Sequence, residues 1–120
     1  MKLTTEQSKF IDENKDAILA TANKAGEPRA ILVELNKYEN DEIVITDNAM
    51  KITKENFLQN NKVFVLVFNK DYSLCLKISG QLSYQTKGNC ADWVRGLETN
   101  KNWKPFGALV IKINNIIECR

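Results

Sequence analysis

The sequence predicts a mainly β protein, an antiparallel barrel of about six strands carrying three short helices. Three observations support this. Segments 31–35, 63–68 and 74–84 have the alternating or unbroken apolar patterns of strands. Tight-turn signals such as KAGEP join successive strands directly, which favours antiparallel over parallel pairing. Gly80, in the middle of the most regular strand, marks the bulge or bend that a closing barrel needs.

Taken in order, residues 4–14 begin with Thr4 and carry Gln7 three positions later, the spacing of a capping box, and place Phe10 and Ile11 on one side of a short lid-like helix. DAILATAN at 16–23 is a first strand, and Gly26 and Pro28 turn it into RAILVELN. There Ile31, Val33 and Leu35 share one face and Ala30, Leu32 and Glu34 the other, so both faces are largely apolar. YENDE turns the chain into a strand at 43–46, and a short amphipathic helix follows. VFVLVF at 63–68 reads as a central strand buried on both sides.

In 74–84, Leu74, Leu76, Ile78, Gly80, Leu82 and Tyr84 lie on one face. Residues 89–99 suit a helix with Val94 and Leu97 inward, NKNWKPFG is a loop, and 108–113 form the last strand. With no repeat, low-complexity tract or linker, residues 1–120 are expected to be a single domain. Strands apolar on both faces need a cover, either a second copy of the chain or the chain's own helices.

Composition narrows the function. Lys and Arg number 17 against 15 Asp and Glu, a net charge of +2 that gives no basic footprint for nucleic acid or membrane. The amino-terminal segment has no long apolar run, so neither a secretory signal nor a membrane anchor is expected and the setting is cytoplasmic. Cys75, Cys90 and Cys119 are far apart and form no CxxC pair, which points to reduced, packed thiols. The absence of histidine removes Ser–His and Cys–His nucleophile pairs, the usual zinc clusters and His-ligated haem. An enzyme of this composition takes its chemistry from a cofactor.

The stretch ITDNAMKITKENF gathers Asp47, Asn48, Lys51, Thr53 and Lys54 where a helix begins. A helix start carries unpaired amides in a positive field and can hold an anion. Asn48 and Thr53 offer side-chain hydrogen bonds there, and Lys51 or Lys54 supplies charge. The same residues have ordinary accounts: Asp47 and Asn48 as turn formers, Thr53 as the helix N-cap, the lysines as solvated charges. Arg29 could reach an anion or lie beside Glu34, and Trp103 could cover a ligand or the edge of the core.

The order ILAT, KAGEP, an apolar strand, ITDNAMKITKENFLQNN, VFVLVF and KISGQLSY resembles the flavin-binding split-barrel family related to pyridoxamine 5'-phosphate oxidase. The resemblance is strongest over residues 11–84, and its specific part is the Asp-Asn-x-Met turn at 47–50 with a lysine and threonine at the helix start. Here Ile52 separates Lys51 from Thr53, and Lys62 stands where the family has proline. The resemblance implies a six-stranded Greek-key split barrel and a homodimer with flavin mononucleotide (FMN) between subunits. It places the phosphate near Asp47, Asn48, Met50, Lys51, Thr53 and Lys54, and the ring against the strand of Arg29, Ile31 and Val33.

On that footing the expected function is a flavin-dependent oxidoreductase acting on a small substrate, with no catalytic side chain or metal required and a nicotinamide nucleotide as candidate electron donor, although no GxGxxG is present. The chain closes at Arg120 soon after its last strand, without the Arg-rich carboxyl-terminal segment with which those oxidases hold their substrate, so a different substrate is expected. The other readings are a non-catalytic carrier of flavin, deazaflavin or another phosphorylated ligand, and a nucleic-acid binder using Lys51, Lys54 and Lys62, which the near-neutral charge disfavours.

Overall fold

The computed structural model describes residues 2–38, 42–48, 50–100 and 105–119. Its elements are α1 (Thr5–Glu13), β1 (Asp16–Ala22), β2 (Pro28–Glu34), β3 (Asn36–Lys37), β4 (Ile43–Asp47), α2 (Lys51–Gln59), β5 (Lys62–Phe68), β6 (Cys75–Gln85), α3 (Asn89–Arg95), a 3-10 turn (Glu98–Asn100) and β7 (Gly107–Cys119). Trp103 lies outside the described residues.

The strands form one sheet in the order β2-β1-β5-β6-β7-β4-β3, with every neighbouring pair antiparallel. The two ends of the sheet curl toward each other: β2 touches β4 without hydrogen-bonding to it, which leaves an antiparallel barrel split along one seam. The described residues hold seven strands rather than six. The addition is β3, two residues long and too short to display a period of two.

Local signals become local structure. Thr4 caps α1 through the Gln7 amide, and the Gln7 side chain returns the bond to the Thr4 amide, closing the capping box. Gly26 takes φ +81° in the β1–β2 turn, a region side-chain-bearing residues avoid. The β6–β7 register shifts between Ser79 and Gly80, so the mid-strand glycine does mark a bulge. A Cβ there would lie 2.6 Å from the Lys112 carbonyl oxygen and 2.7 Å from a methyl of Ile111.

Two apolar layers form on opposite faces of the sheet. Inside the curl, Leu19, Ile45, Val65, Ile78 and Ile111 pack with Ile11 of α1 and Phe57 of α2. On the outer face, α3 places Cys90 and Val94 against Val44, Ala108 and Val110, covering the β4–β7 end. Among the described residues, no helix covers the rest of that face. Leu32 on β2 is 77% exposed, Phe64 on β5 37% and Ile117 on β7 52%.

Four expectations are corrected. β5 is buried on one side: Val63, Val65 and Val67 face the core while Phe64 is exposed and Leu66 and Phe68 are half-buried, because no helix among the described residues lies over the other side. Thr53 is not an N-cap; Met50 holds that position, and Thr53 is buried as the third residue of α2. The last strand runs to Cys119, because the long β6 offers pairing partners through Cys75, and α3 ends at Arg95, with Gly96 as its C-cap, rather than running to residue 99. Among the described residues no helix is long and apolar enough to cross a membrane.

Candidate functional site

A cleft of about 370 Å³ opens at the split of the barrel. Edge strand β2 gives Ile31 and Val33, β4 gives Ile45 and Thr46, the following loop gives Asn48 and Met50, and Asn100 of the 3-10 turn closes one side. Register explains why β2 presents these residues. Arg29, Ile31 and Val33 pair with Thr21, Leu19 and Ala17 of β1, all three buried, so they share the inner face. Glu34 pairs with Asp16 on the opposite face, which removes the reading of Arg29 lying beside Glu34.

The approach to α2 is held by a buried acid. Asp47, 1% exposed, accepts a hydrogen bond from the Met50 amide at 3.0 Å through Oδ1 and one from the Tyr84 hydroxyl through Oδ2. Its own carbonyl accepts from the Phe106 amide at 2.8 Å. Burial, followed by the hydrogen bond to Asp47 and its negative charge, pushes the Tyr84 pKa up to about 12, with Arg95 opposing. Lys54 sits with its Nζ 4.8 Å from the centre of the Tyr84 ring, and Phe57 packs on the same ring at 5.3 Å. Asn56 of α2 donates to Thr21 of β1 at 3.2 Å, fixing the helix against the sheet.

Asn48 is different. Its Oδ1 is buried and has no hydrogen-bond partner among the described residues. Buried acceptors are almost always satisfied, and leaving one unpaired costs about 1–3 kcal/mol, so an orphan lining a cleft is a place for a ligand donor. The amide at the start of α2 is likewise uncapped by any side chain of Met50. Lys51, first in the helix, is exposed.

Of the residues singled out in the sequence, Ile31, Val33, Asn48 and Met50 line this cleft. Asp47, at the end of β4, and Lys51, Thr53 and Lys54, in the first turns of α2, adjoin the Asn48–Met50 loop in sequence but are not in the cleft lining, and Arg29 lies farther along the β2 inner face, exposed. Two residues of the neighbourhood were not foreseen. Asn100 donates to Thr46 Oγ1 at 3.0 Å and to the Val94 carbonyl at 2.8 Å, a long-range contact with no local sequence signal. Tyr84 carried one, since a tyrosine on the buried face of a strand needs a partner for its hydroxyl.

Comparison with known proteins agrees with this architecture. Residues 3–119 match the family described as pyridoxamine 5'-phosphate oxidase. The chain belongs to that family. An uncharacterized protein of Methanocaldococcus jannaschii is 34% identical over 122 residues, covering 97% of this chain and 80% of the relative. Among solved structures, HupZ of Group A Streptococcus superposes with a TM-score of 0.84 at 18% identity, over 97% of this chain and 93% of that one. An FMN-binding protein from Syntrophomonas wolfei gives 0.79 at 21% identity, over 93% and 82% of the two chains. At these identities the structural likeness establishes the split-barrel fold.

Proposed function

We propose that this member of the pyridoxamine 5'-phosphate oxidase family binds FMN in the cleft at the barrel split, as a homodimer, and serves as a flavin-dependent oxidoreductase on a small substrate. The observation that carries the reading is the orphaned Asn48 Oδ1 in a cleft whose apolar wall is Ile31 and Val33. The cleft volume falls in the range of small-molecule pockets, about 300–1,000 Å³.

When bound, the flavin supplies the redox chemistry through an isoalloxazine that accepts hydride or electrons. The chain's part is binding and orientation. Edge strand β2 leaves alternate backbone groups unpaired on its cleft side, suited to the polar edge of a planar ring, while Ile31 and Val33 exclude water from its face. Asn48 accepts from a ligand hydroxyl or N–H. The free amides of the first α2 turn, with Lys51, are suited to the phosphate. Lys54 is engaged by Tyr84, which leaves Lys51 the better placed lysine. Asp47 acts as a positioning residue by holding the Met50 amide. Thr53 and Arg29 complete the proposed cofactor set at the helix start and on β2.

A carrier without turnover is the second reading, favoured by the cleft lining, in which the one ionisable residue among the described residues, Glu34, turns its side chain to the other face of β2. A fluorescence-quenching titration tests the site: FMN should bind at least about tenfold more tightly than riboflavin, tenfold being 1.4 kcal/mol. Equal affinities would remove the phosphate from the α2 start, and no binding of either would remove the flavin. Bleaching of the bound flavin by a nicotinamide nucleotide, followed by reoxidation with turnover of an acceptor, separates oxidoreductase from carrier.

A further inference from the structure

The β6–β7 ladder, the longest in the sheet, ends with Cys75 directly opposite Cys119. Both are free and half-buried. Leu76 and Ile78 point into the core, so Cys75 and Lys77 face outward, and their ladder partners Cys119 and Ile117 share that face. Directly opposed residues of an antiparallel pair hold their Cβ atoms about 4.5–5.5 Å apart, with Cα separations of about 4.5 or 5.5 Å. Disulfides span Cα separations of about 4.4–6.8 Å. Two thiols distant in sequence are thereby set at bridging distance on the open side of the sheet, reachable by a small reagent. Cys90 is 6% exposed beneath α3, and its burial pushes the thiol pKa up, which disfavours the reactive thiolate.

We propose that Cys75 and Cys119 form a redox-reactive cross-strand dithiol, a modification site at which a low-molecular-weight disulfide such as oxidised glutathione closes a Cys75–Cys119 bond. One protein thiolate attacks a sulfur of the small disulfide, forming a mixed disulfide and releasing one small thiol. The facing protein thiolate then attacks the protein sulfur of that mixed disulfide and releases the second. The protein pair loses two electrons, its two protons pass to solvent and the released thiolates, and the small disulfide is reduced to two thiols. The bond staples the end of β7 to β6 beside Glu118, whose carboxylate accepts from the Gln7 side chain of α1 at 3.4 Å.

Trypsin distributes the three cysteines over peptides 71–77, 88–95 and 113–120, so the test is direct. After incubation of the full chain with oxidised glutathione, peptides 71–77 and 113–120 should appear joined, at the intact mass of one chain, with one thiol of three still titrating after denaturation. Tm should rise by about 10 °C. Cys75→Ser should instead take up one glutathione at Cys119 with no such rise, and Cys90→Ser should behave as the parent. Separate glutathione adducts on the two peptides, unmodified peptides, or a link found only at the mass of two chains would each overturn the proposal.

Discussion

Tyr84 and Asp47 form the most consequential pair of single residues. The tyrosine hydroxyl satisfies a buried carboxylate whose other oxygen fixes the loop into α2, so one hydrogen bond connects strand β6 to the proposed cofactor loop. The Tyr84 pKa is raised to about 12, so the folded state keeps a proton that the unfolded chain releases near pH 10. Its contribution is therefore complete below about pH 10 and disappears as pH climbs through about 12. Urea unfolding of the parent and Tyr84→Phe should show the parent ahead by about 1–2 kcal/mol at neutral pH, with the gap closing between about pH 10 and 12. Parallel stability curves across that window would mean that the hydroxyl contributes nothing through Asp47. Asn48 stands in contrast beside this satisfied pair: the same loop holds one fully bonded acid and one orphaned amide oxygen.

At the scale of elements, the β6–β7 ladder bends at Gly80, and this bend carries the sheet around toward closure. The glycine is required by space rather than by dihedral angle, since its missing Cβ would strike the Lys112 carbonyl, a backbone atom that cannot swing away. Gly80→Ala should destabilise the fold by about 2 kcal/mol or more, read as a lowered denaturant midpoint with an unchanged slope. A loss below about 0.5 kcal/mol would show that the two strands separate easily at the bulge. Helix α2 is set by different forces: Phe57 in the core, the Asn56–Thr21 bond and the Lys54–Tyr84 contact hold it, with a loop acid in place of a side-chain cap.

For the whole molecule, the two faces of the sheet are treated unequally. α1 and α2 cover the inside of the curl and α3 covers the outer face at β4 and β7, whereas Leu32, Phe64 and Ile117 lie open on the rest of it. Exposed apolar side chains such as Leu32 of β2 and Phe64 of β5 are characteristic of an interface between subunits, and the proposed homodimer would bury these two. Sedimentation at micromolar concentration should find a dimer, and Phe64→Glu should convert it to a monomer with the same circular dichroism. A monomeric parent protein, or a Phe64→Glu dimer as stable as the parent, would place the interface elsewhere or remove it.

The sequence by itself determined the features that depend on neighbours along the chain. The Thr4–Gln7 capping box, the Gly26 turn, the alternation of residues 74–84 and the Gly80 bulge each follow from steric or hydrogen-bonding rules that act over a few residues. The motif from Asp47 to Lys54 was legible as a loop and helix start, and Ile31, Val33, Asn48 and Met50 could be gathered from it and from the β2 pattern by family resemblance. Tertiary structure alone decided which side of β5 found a cover, because an apolar pattern reports that a face avoids water and not what lies over it. It also moved Thr53 inside its helix, brought Asn100 to Thr46 and set Cys75 against Cys119. Those contacts join residues distant in sequence, and their geometry comes from the register and curvature of the assembled sheet, which no local pattern encodes.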